Sequence, residues 1–418
     1  MEFIKTPVKG MPEQMPNDMA IREYALRKIK DTYKKFGFML ISTPLIEHIE
    51  NLTNKQGGEN ESLIFKILKR GEKLAKAENK DDLCDSGLRY DLTVPLARFY
   101  ANNGENLPLP FKSLQIGESF RADRPQKGRF RQFTQCDIDI LGDSSSLAEI
   151  ELITATCNML NELGIKELKV RVNDRNILKA MALSCNFPED QLDTVYIILD
   201  KMDKIGLDGV KNSLLEFGLN PADVDKYCSM FADACENIDC KEFLKGKTDG
   251  FIEESTIDNL NKIIGCASAI VSKDCKVVFD PTLVRGMSYY TGPIFEIELS
   301  NYHASVAGGG RYDKMIGKYS GKETTACGFS IGFERIISVI KENNLLPLAN
   351  EEKIAVLISK DVDAEKLERT IKRANELRAS GKIVMISPRN KNVKFQKEQL
   401  STFGYTQFVE IFNDNGEL

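Results

Sequence analysis

Hydrophobic and polar positions change period along the chain, and those changes mark its elements. From about Asn17 to Phe36, Met19, Leu26, Ile29, Tyr33 and Phe36 form one helical stripe. Asn17 or Asp18 can cap its start, and Gly37 suits its exit. Phe38 to Pro44 then reads as a strand stopped by proline. Between about Phe65 and Arg131 the pattern shortens into strands alternating with turns, and Pro95 suits the first turn of a helix. A helical period returns from Ser144 to Leu163 through Leu147, Ile150, Ile153, Cys157 and Leu160, and stops near Gly164. The stretch from about 175 to 266 keeps helical spacing with many Asp and Lys and no evident chemistry, which predicts a helical insertion. Strands resume at Cys275–Phe279 and from Pro293 to Leu299; Gly308-Gly-Gly310 reads as a turn. Thr325 to Ile340 reads as a strand passing into a helix, and Leu345 to Glu352 as a linker.

The tail alternates cleanly. Strand patterns at 354–358, 382–386 and 407–412 enclose helical patterns at 363–378 and 393–403. That β-α-β-α-β order predicts a small, largely parallel α/β domain ending after its third strand.

Bulk composition narrows the function classes. A chain of 418 residues has room for two or three domains with separate cores. It has no apolar run of about 18 residues and no apolar segment at the N-terminus, so we expect a cytoplasmic protein with no membrane partner. Ten cysteines without a C-x-x-C pair read as reduced thiols packed like small apolar residues. Only His48 and His303 are present, which removes most zinc sites, Ser-His-Asp triads and the usual proton shuttles. His48 reads as a surface residue, and His303 is assigned no role. Neither a G-x-x-x-x-G-K-[ST] loop nor a G-x-G-x-x-G turn opening a helix occurs, so a nucleotide would be held by side chains. The net charge of −5 leaves room for a local basic patch but not for sweeping nucleic-acid binding.

Such a patch lies in Phe120–Asp139. Arg121, Arg124, Lys127, Arg129 and Arg131 crowd one turn. Strand alternation then sends Arg131, Phe133, Gln135, Asp137 and Asp139 to one face. Guanidinium forks suit phosphate oxygens, and the carboxylates suit a small polar ligand beside them. The bland alternative is a salt-bridged surface hairpin. Asp91 and Thr93 share a face and could seat an ammonium group, or simply cap a helix. In Leu283–Ile297, Arg285 precedes a glycine and the adjacent Tyr289 and Tyr290, which on extended chain would face opposite ways. Gly308-Gly-Gly-Arg-Tyr-Asp313 would let a ligand approach main chain, and Gly328-Phe-Ser-Ile-Gly-Phe-Glu-Arg335 sets Arg335 near a helix start.

These segments, in this order, resemble the histidyl-tRNA synthetases, a branch of the class II aminoacyl-tRNA synthetases. The most specific matches are Arg285-Gly-Met-Ser-Tyr-Tyr-Thr-Gly292 and Gly308-Gly-Gly-Arg-Tyr-Asp313, and the likeness starts at Pro7-Val-Lys-Gly-Met-Pro12. The resemblance implies an α+β catalytic domain over 1–330, built on an antiparallel class II sheet with flanking helices and the insertion at about 175–266. A helix end and linker (331–351) and a small α/β anticodon-binding-like domain (352–418), shortened relative to the family, would follow. It implies ATP-dependent activation of L-histidine, transfer to histidine tRNA, Mg2+ accompanying ATP, no resident metal, and a homodimer with Pro44 at its interface.

By the same resemblance Arg121 and Arg285 are catalytic, and Arg121 meets both the α-phosphate and the substrate carboxylate. Asp91 and Thr93 form the α-amino site; Gln135, Asp139 and Tyr290, with Tyr289 alongside, form the histidine pocket. Arg121, Arg129, Phe133 and Arg335 form the ATP site, Phe133 under adenine and Arg335 toward the γ-phosphate. Arg285 stands where many class II relatives lean on a metal ion. Ser288 and Thr134 replace an acidic residue and a histidine found in many members. Arg389, Lys391, Lys394 and Lys397 remain available to tRNA phosphates in the short tail domain. Two other readings stay open: a non-catalytic regulatory subunit of ATP phosphoribosyltransferase, and a histidine-activating paralogue with a non-tRNA acceptor.

Overall fold

Two ten-residue strands, Phe111–Phe120 and Gln132–Leu141, pair antiparallel without a break, from Phe111 opposite Leu141 to Phe120 opposite Gln132. The computed structural model describes residues 3–53, 60–79, 81–126, 128–232, 234, 238–285, 289–300, 304–345 and 352–418. Sequence expectations at Lys127, Ser288, His303 and most of the 345–352 linker fall outside those residues. The hairpin belongs to an eight-stranded sheet. In spatial order it runs Met39–Ile41, Phe111–Phe120, Gln132–Leu141, Ala326–Gly332, Ala304–Arg311, Pro293–Leu299, Leu168–Asp174 and Cys275–Phe279. The interior pairings are antiparallel, and only the two outermost are parallel.

Burial explains the layering. Cys136, Ile138 and Ile140 are almost wholly buried on one side of the central strand. Helix Leu147–Glu162 packs against this strand and against Ala326–Gly332. Most of its surface is buried, through Ala148, Ile150, Leu152, Ile153, Ala155, Cys157, Met159 and Leu160, while Glu151, Asn158, Asn161 and Glu162 line its outer face. Ala25, Ile29 and Tyr33 of helix Pro16–Lys35 are also fully buried. The opposite sheet face, carrying Gln135, Asp137 and Asp139, is left for a ligand.

The parallel strands Leu168–Asp174 and Cys275–Phe279 require a crossover, and the chain between them supplies it as helices. They are Arg175–Ser184, Leu192–Leu199, Met202–Glu216, Pro221–Met230, Cys240–Leu244 and Glu254–Ile270. Residues 14–22 and the described part of 346–418 form a second compact unit. Its strands Lys353–Ile358, Ile383–Pro388 and Gln407–Ile411 are all parallel, with the first at the centre. Ile354, Val356, Ala374, Val384 and Ile411 form its core.

Two local expectations need correction. The region 65–131 holds the helix expected around Pro95, Thr93–Asn103, and short strands at Lys66–Leu68 and Cys84–Leu88, but it also holds the ten-residue strand Phe111–Phe120 where only short strands were expected. Gly308-Gly-Gly310 lies inside strand Ala304–Arg311, paired on both sides, and is not a turn. Among the described residues no helix is long and apolar enough to cross a membrane.

Candidate active site

A cavity of about 690 Å³ opens over the ligand-facing side of the large sheet. All eleven residues singled out above as site candidates line it: Asp91, Thr93, Arg121, Arg129, Phe133, Gln135, Asp139, Arg285, Tyr289, Tyr290 and Arg335. Arg124 and Arg131 do not. The strand starts at Gln132, and the Arg131 side chain turns back to donate from Nε to the Asp123 carbonyl, 3.0 Å away. His48 is exposed in a short strand elsewhere.

Part of the cavity lining is rich in acceptors. Asp139 is 3 % exposed and accepts the Tyr312 hydroxyl at 2.6 Å; burial pushes its pKa up to about 7 against that hydrogen bond. Asp137 accepts from Ser330 Oγ at 2.5 Å, and burial followed by the neighbouring Asp139 charge holds it well above the usual carboxylate range. Asp91 serves two purposes, one with each oxygen. Its Oδ1 accepts the Val94 amide at 3.1 Å, capping helix Thr93–Asn103, so Thr93 opens a helix instead of continuing a strand. Its Oδ2 is buried with no partner among the described residues, and burial raises its pKa. Gln135 donates from Nε2 to Ser330 Oγ at 3.1 Å, while its buried Oε1 also lacks a partner there. Buried acceptors left unpaired each cost about 1–3 kcal/mol, so these groups suit a ligand that brings N–H donors.

The same lining is also cationic. Arg121 donates from Nε to the Tyr90 carbonyl at 2.9 Å, and its guanidinium carbon lies 5.2 Å from the Phe133 ring centroid. A guanidinium fixed in this way is aimed without a carboxylate partner among the described ion pairs. Arg129 is half exposed and only 3.9 Å from Asp123. Arg335 lies in the first turn of helix Phe333–Glu342 and donates to the Ser305 carbonyl. Arg285 differs: its Nη1 is 2.8 Å from Glu296 Oε2, an ion pair within the cavity wall.

Glycines make room for these groups. A Cβ at Gly308 would sit 2.5 Å from the Arg285 guanidinium carbon, and one at Gly328 would sit 3.0 Å from Asp139 Cγ. The missing side chains therefore admit ligand-facing groups from other strands, which is why the glycine triplet lies in a strand. Tyr289 and Tyr290 also depart from expectation. Their rings are 4.8 Å apart at 54° and both line the cavity, because the chain turns there.

Sequence reasoning assigned no role to Arg171, Glu296, Tyr312, Ser330 or Asp137, all of which line the cavity. Asp137 was visible on the alternating face, and Tyr312 lay in the quoted glycine motif. Arg171 and Glu296 gave no local signal. Arg311 in that motif is structural, with Nε and Nη2 gripping the buried Glu149 carboxylate at 2.6 and 2.9 Å.

An antiparallel sheet with an arginine hairpin, facing carboxylates and a closing arginine on the next helix defines a class II aminoacyl-tRNA synthetase catalytic domain. The family profile described as Histidyl-tRNA synthetase matches residues 10–336. A histidine--tRNA ligase of Leifsonia xyli subsp. xyli is 41% identical over 98% of this chain and 96% of its own length. One from Christiangramia forsetii is 36% identical over 88% of this chain and 84% of its own. The chain belongs to the histidyl-tRNA synthetase family. The crystal structure of histidyl-tRNA synthetase from Nostoc sp. PCC 7120 superposes with a TM-score of 0.78 at 26% identity, covering 98% of this chain and 92% of that one. A Bacillus halodurans structure described as an ATP phosphoribosyltransferase regulatory subunit/histidyl-tRNA synthetase gives 0.77 at 20% identity, a likeness of fold alone.

Proposed function

We propose that this chain joins L-histidine to histidine tRNA through a histidyl-adenylate made from ATP. One observation carries the reading: a single cavity is lined both by buried acceptors without partners among the described residues, Asp91 Oδ2 and Gln135 Oε1, and by guanidinium groups held on main-chain carbonyls, Arg121 and Arg335. The first matches an α-ammonium and an imidazole, the second a triphosphate. In the first step a histidine carboxylate oxygen attacks the α-phosphorus, the new C–O–P linkage forms, and pyrophosphate leaves. The nucleophile is already an anion, so the step needs placement and charge neutralisation and no general base.

Asp91 and Thr93 hold the α-amino group, and Gln135, Asp139, Tyr289 and Tyr290 enclose the side chain. Arg121 bridges the substrate carboxylate and the α-phosphate. Phe133 stacks on adenine, Arg129 and Arg335 meet the outer phosphates, and Arg285 offsets charge growing at the α-phosphate. The buried Gln135 Oε1 would stay unpaired against an apolar amino acid, which disfavours such substrates. Mg2+ would accompany ATP and would neutralise charge on its triphosphate.

We assign catalysis to 1–330 with its insertion at about 175–266, a linker role to 331–351, and anticodon-side contact to 352–418. A cytoplasmic homodimer completes the reading. Strand Met39–Ile41 ends the large sheet, and Met39, Leu40, Leu45 and Ile46 nearby are 40–58 % exposed, a surface suited to a second copy. Histidine-dependent ATP–pyrophosphate exchange by the purified protein tests the first step, and charging of histidine tRNA tests the second. Exchange driven equally by several amino acids would refute the histidine assignment, and exchange without charging would point to another acceptor.

A further inference from the structure

Arg171, Glu296 and Gly308 stand side by side on three adjacent strands, Arg171 opposite Glu296 and Glu296 opposite Gly308. Each does something to Arg285. Gly308 leaves the space in which the Arg285 guanidinium rests. Glu296 Oε2 grips it at 2.8 Å, and Glu296 Oε1 lies 3.6 Å from Arg171 Nη1. Arg171, itself almost buried, reaches Asp280 Oδ2 at 2.6 Å and Thr282 Oγ1 at 3.1 Å. Asp280 Oδ1 accepts from the Thr282 amide at 2.9 Å and from its hydroxyl at 2.6 Å. Those two residues begin the segment that ends at Arg285. The segment is thus held at its root by Arg171 and at its tip by Glu296.

Resting on the function proposed above, we infer that Glu296, braced by Arg171, is the positioning residue that aims Arg285 at the reacting phosphate. The Tyr290 hydroxyl also meets Arg285, but it carries no charge; an arginine side chain has four rotatable bonds, and without its carboxylate partner it would sample more directions. A carboxylate within a polyanion site is unfavourable in itself. Here it sits between two guanidinium groups, so its charge is compensated where it stands. Asp203 of the insertion approaches the same Arg171 Nη1 at 3.3 Å but is largely exposed, so it is the outer end of the row.

The test uses the full chain with Glu296→Gln, whose amide oxygen can serve one arginine but carries no charge to hold two. We expect kcat for histidine-dependent exchange to fall about 10- to 100-fold, while KM for histidine and for ATP stay within about threefold. Glu296→Asp should recover part of the loss. In an Arg285→Ala background, Glu296→Gln should cost nothing more, because the two act as one unit. A rate equal to the parent, losses that multiply, or a rise in KM alone would overturn the inference. A crystal structure of Glu296→Gln reads the seat directly: Arg285 should leave Gly308, and an undisturbed guanidinium would also overturn it. A parent protein without exchange would count against the proposed function instead, and the crystallographic result would still decide this point.

Discussion

Neighbouring glycines in one strand should fail in opposite ways when given a methyl group. At Gly308 the added Cβ would meet Arg285 Cζ at 2.5 Å and Nη2 at 2.7 Å. Ordinary carbon contacts fall near 3.5–4.0 Å, so the guanidinium must retreat by about 1 Å or more. The obstacle is the far end of a flexible side chain, so the fold yields cheaply while the aim of Arg285 is lost. A displacement of this size can cost about 10²-fold in rate. At Gly309 the Cβ would meet backbone, Phe329 Cα at 2.8 Å and Gly328 C at 2.9 Å, on the paired strand. Backbone in a central strand cannot swing aside, and overpacking there costs on the order of 3 kcal/mol.

Gly308→Ala should keep its melting temperature and lose about 100-fold in histidine-dependent pyrophosphate exchange. Gly309→Ala should melt several degrees lower or fail to accumulate as folded protein. Scanning calorimetry and exchange rates on both variants make the comparison. The reasoning is refuted if Gly308→Ala retains the parent rate, or if both variants lose stability alike.

Other substitutions probe the buried acceptors and the base site. Asp91→Asn preserves a capping oxygen for Val94 but removes the charge, so KM for histidine should rise about 10- to 100-fold with KM for ATP unchanged; an unchanged KM for histidine would place the ammonium elsewhere. Between about pH 4 and 7 the folded chain keeps a proton on Asp139 that the unfolded chain has released, so stability falls as pH rises through that window, by an amount on the order of 4 kcal/mol from this group. Asp139→Asn should flatten that decline in melting temperature, and parallel pH curves for parent and variant would contradict it. Phe133→Ala should raise KM for ATP about tenfold through lost stacking and leave KM for histidine in place, as steady-state exchange kinetics would show.

What could be read from the residues alone was whatever has a local period. Alternation along Gln132–Leu141 identified the face bearing Gln135 and Asp139, because each side chain on a strand declares its side by counting. The C-terminal β-α-β-α-β order of elements pointed to parallel strands, since helical crossovers join parallel neighbours. Counting fails where meaning comes from a distant partner. Gly308-Gly-Gly310 has the composition of a turn, and only the arrival of Arg285, Tyr290 and a neighbouring backbone explains why it must be strand. Asp91 was weighed as either a cap or a ligand seat, yet a carboxylate has two oxygens and this one divides them between the two tasks. Arg171 and Glu296 stand 125 positions apart in sequence and directly opposite in the sheet. Their relation to Arg285 exists only in the register between strands. A site made of cross-strand rows therefore declares its faces in the sequence and conceals its partners. The residues that hold a catalytic arginine in place are harder to find than the arginine itself.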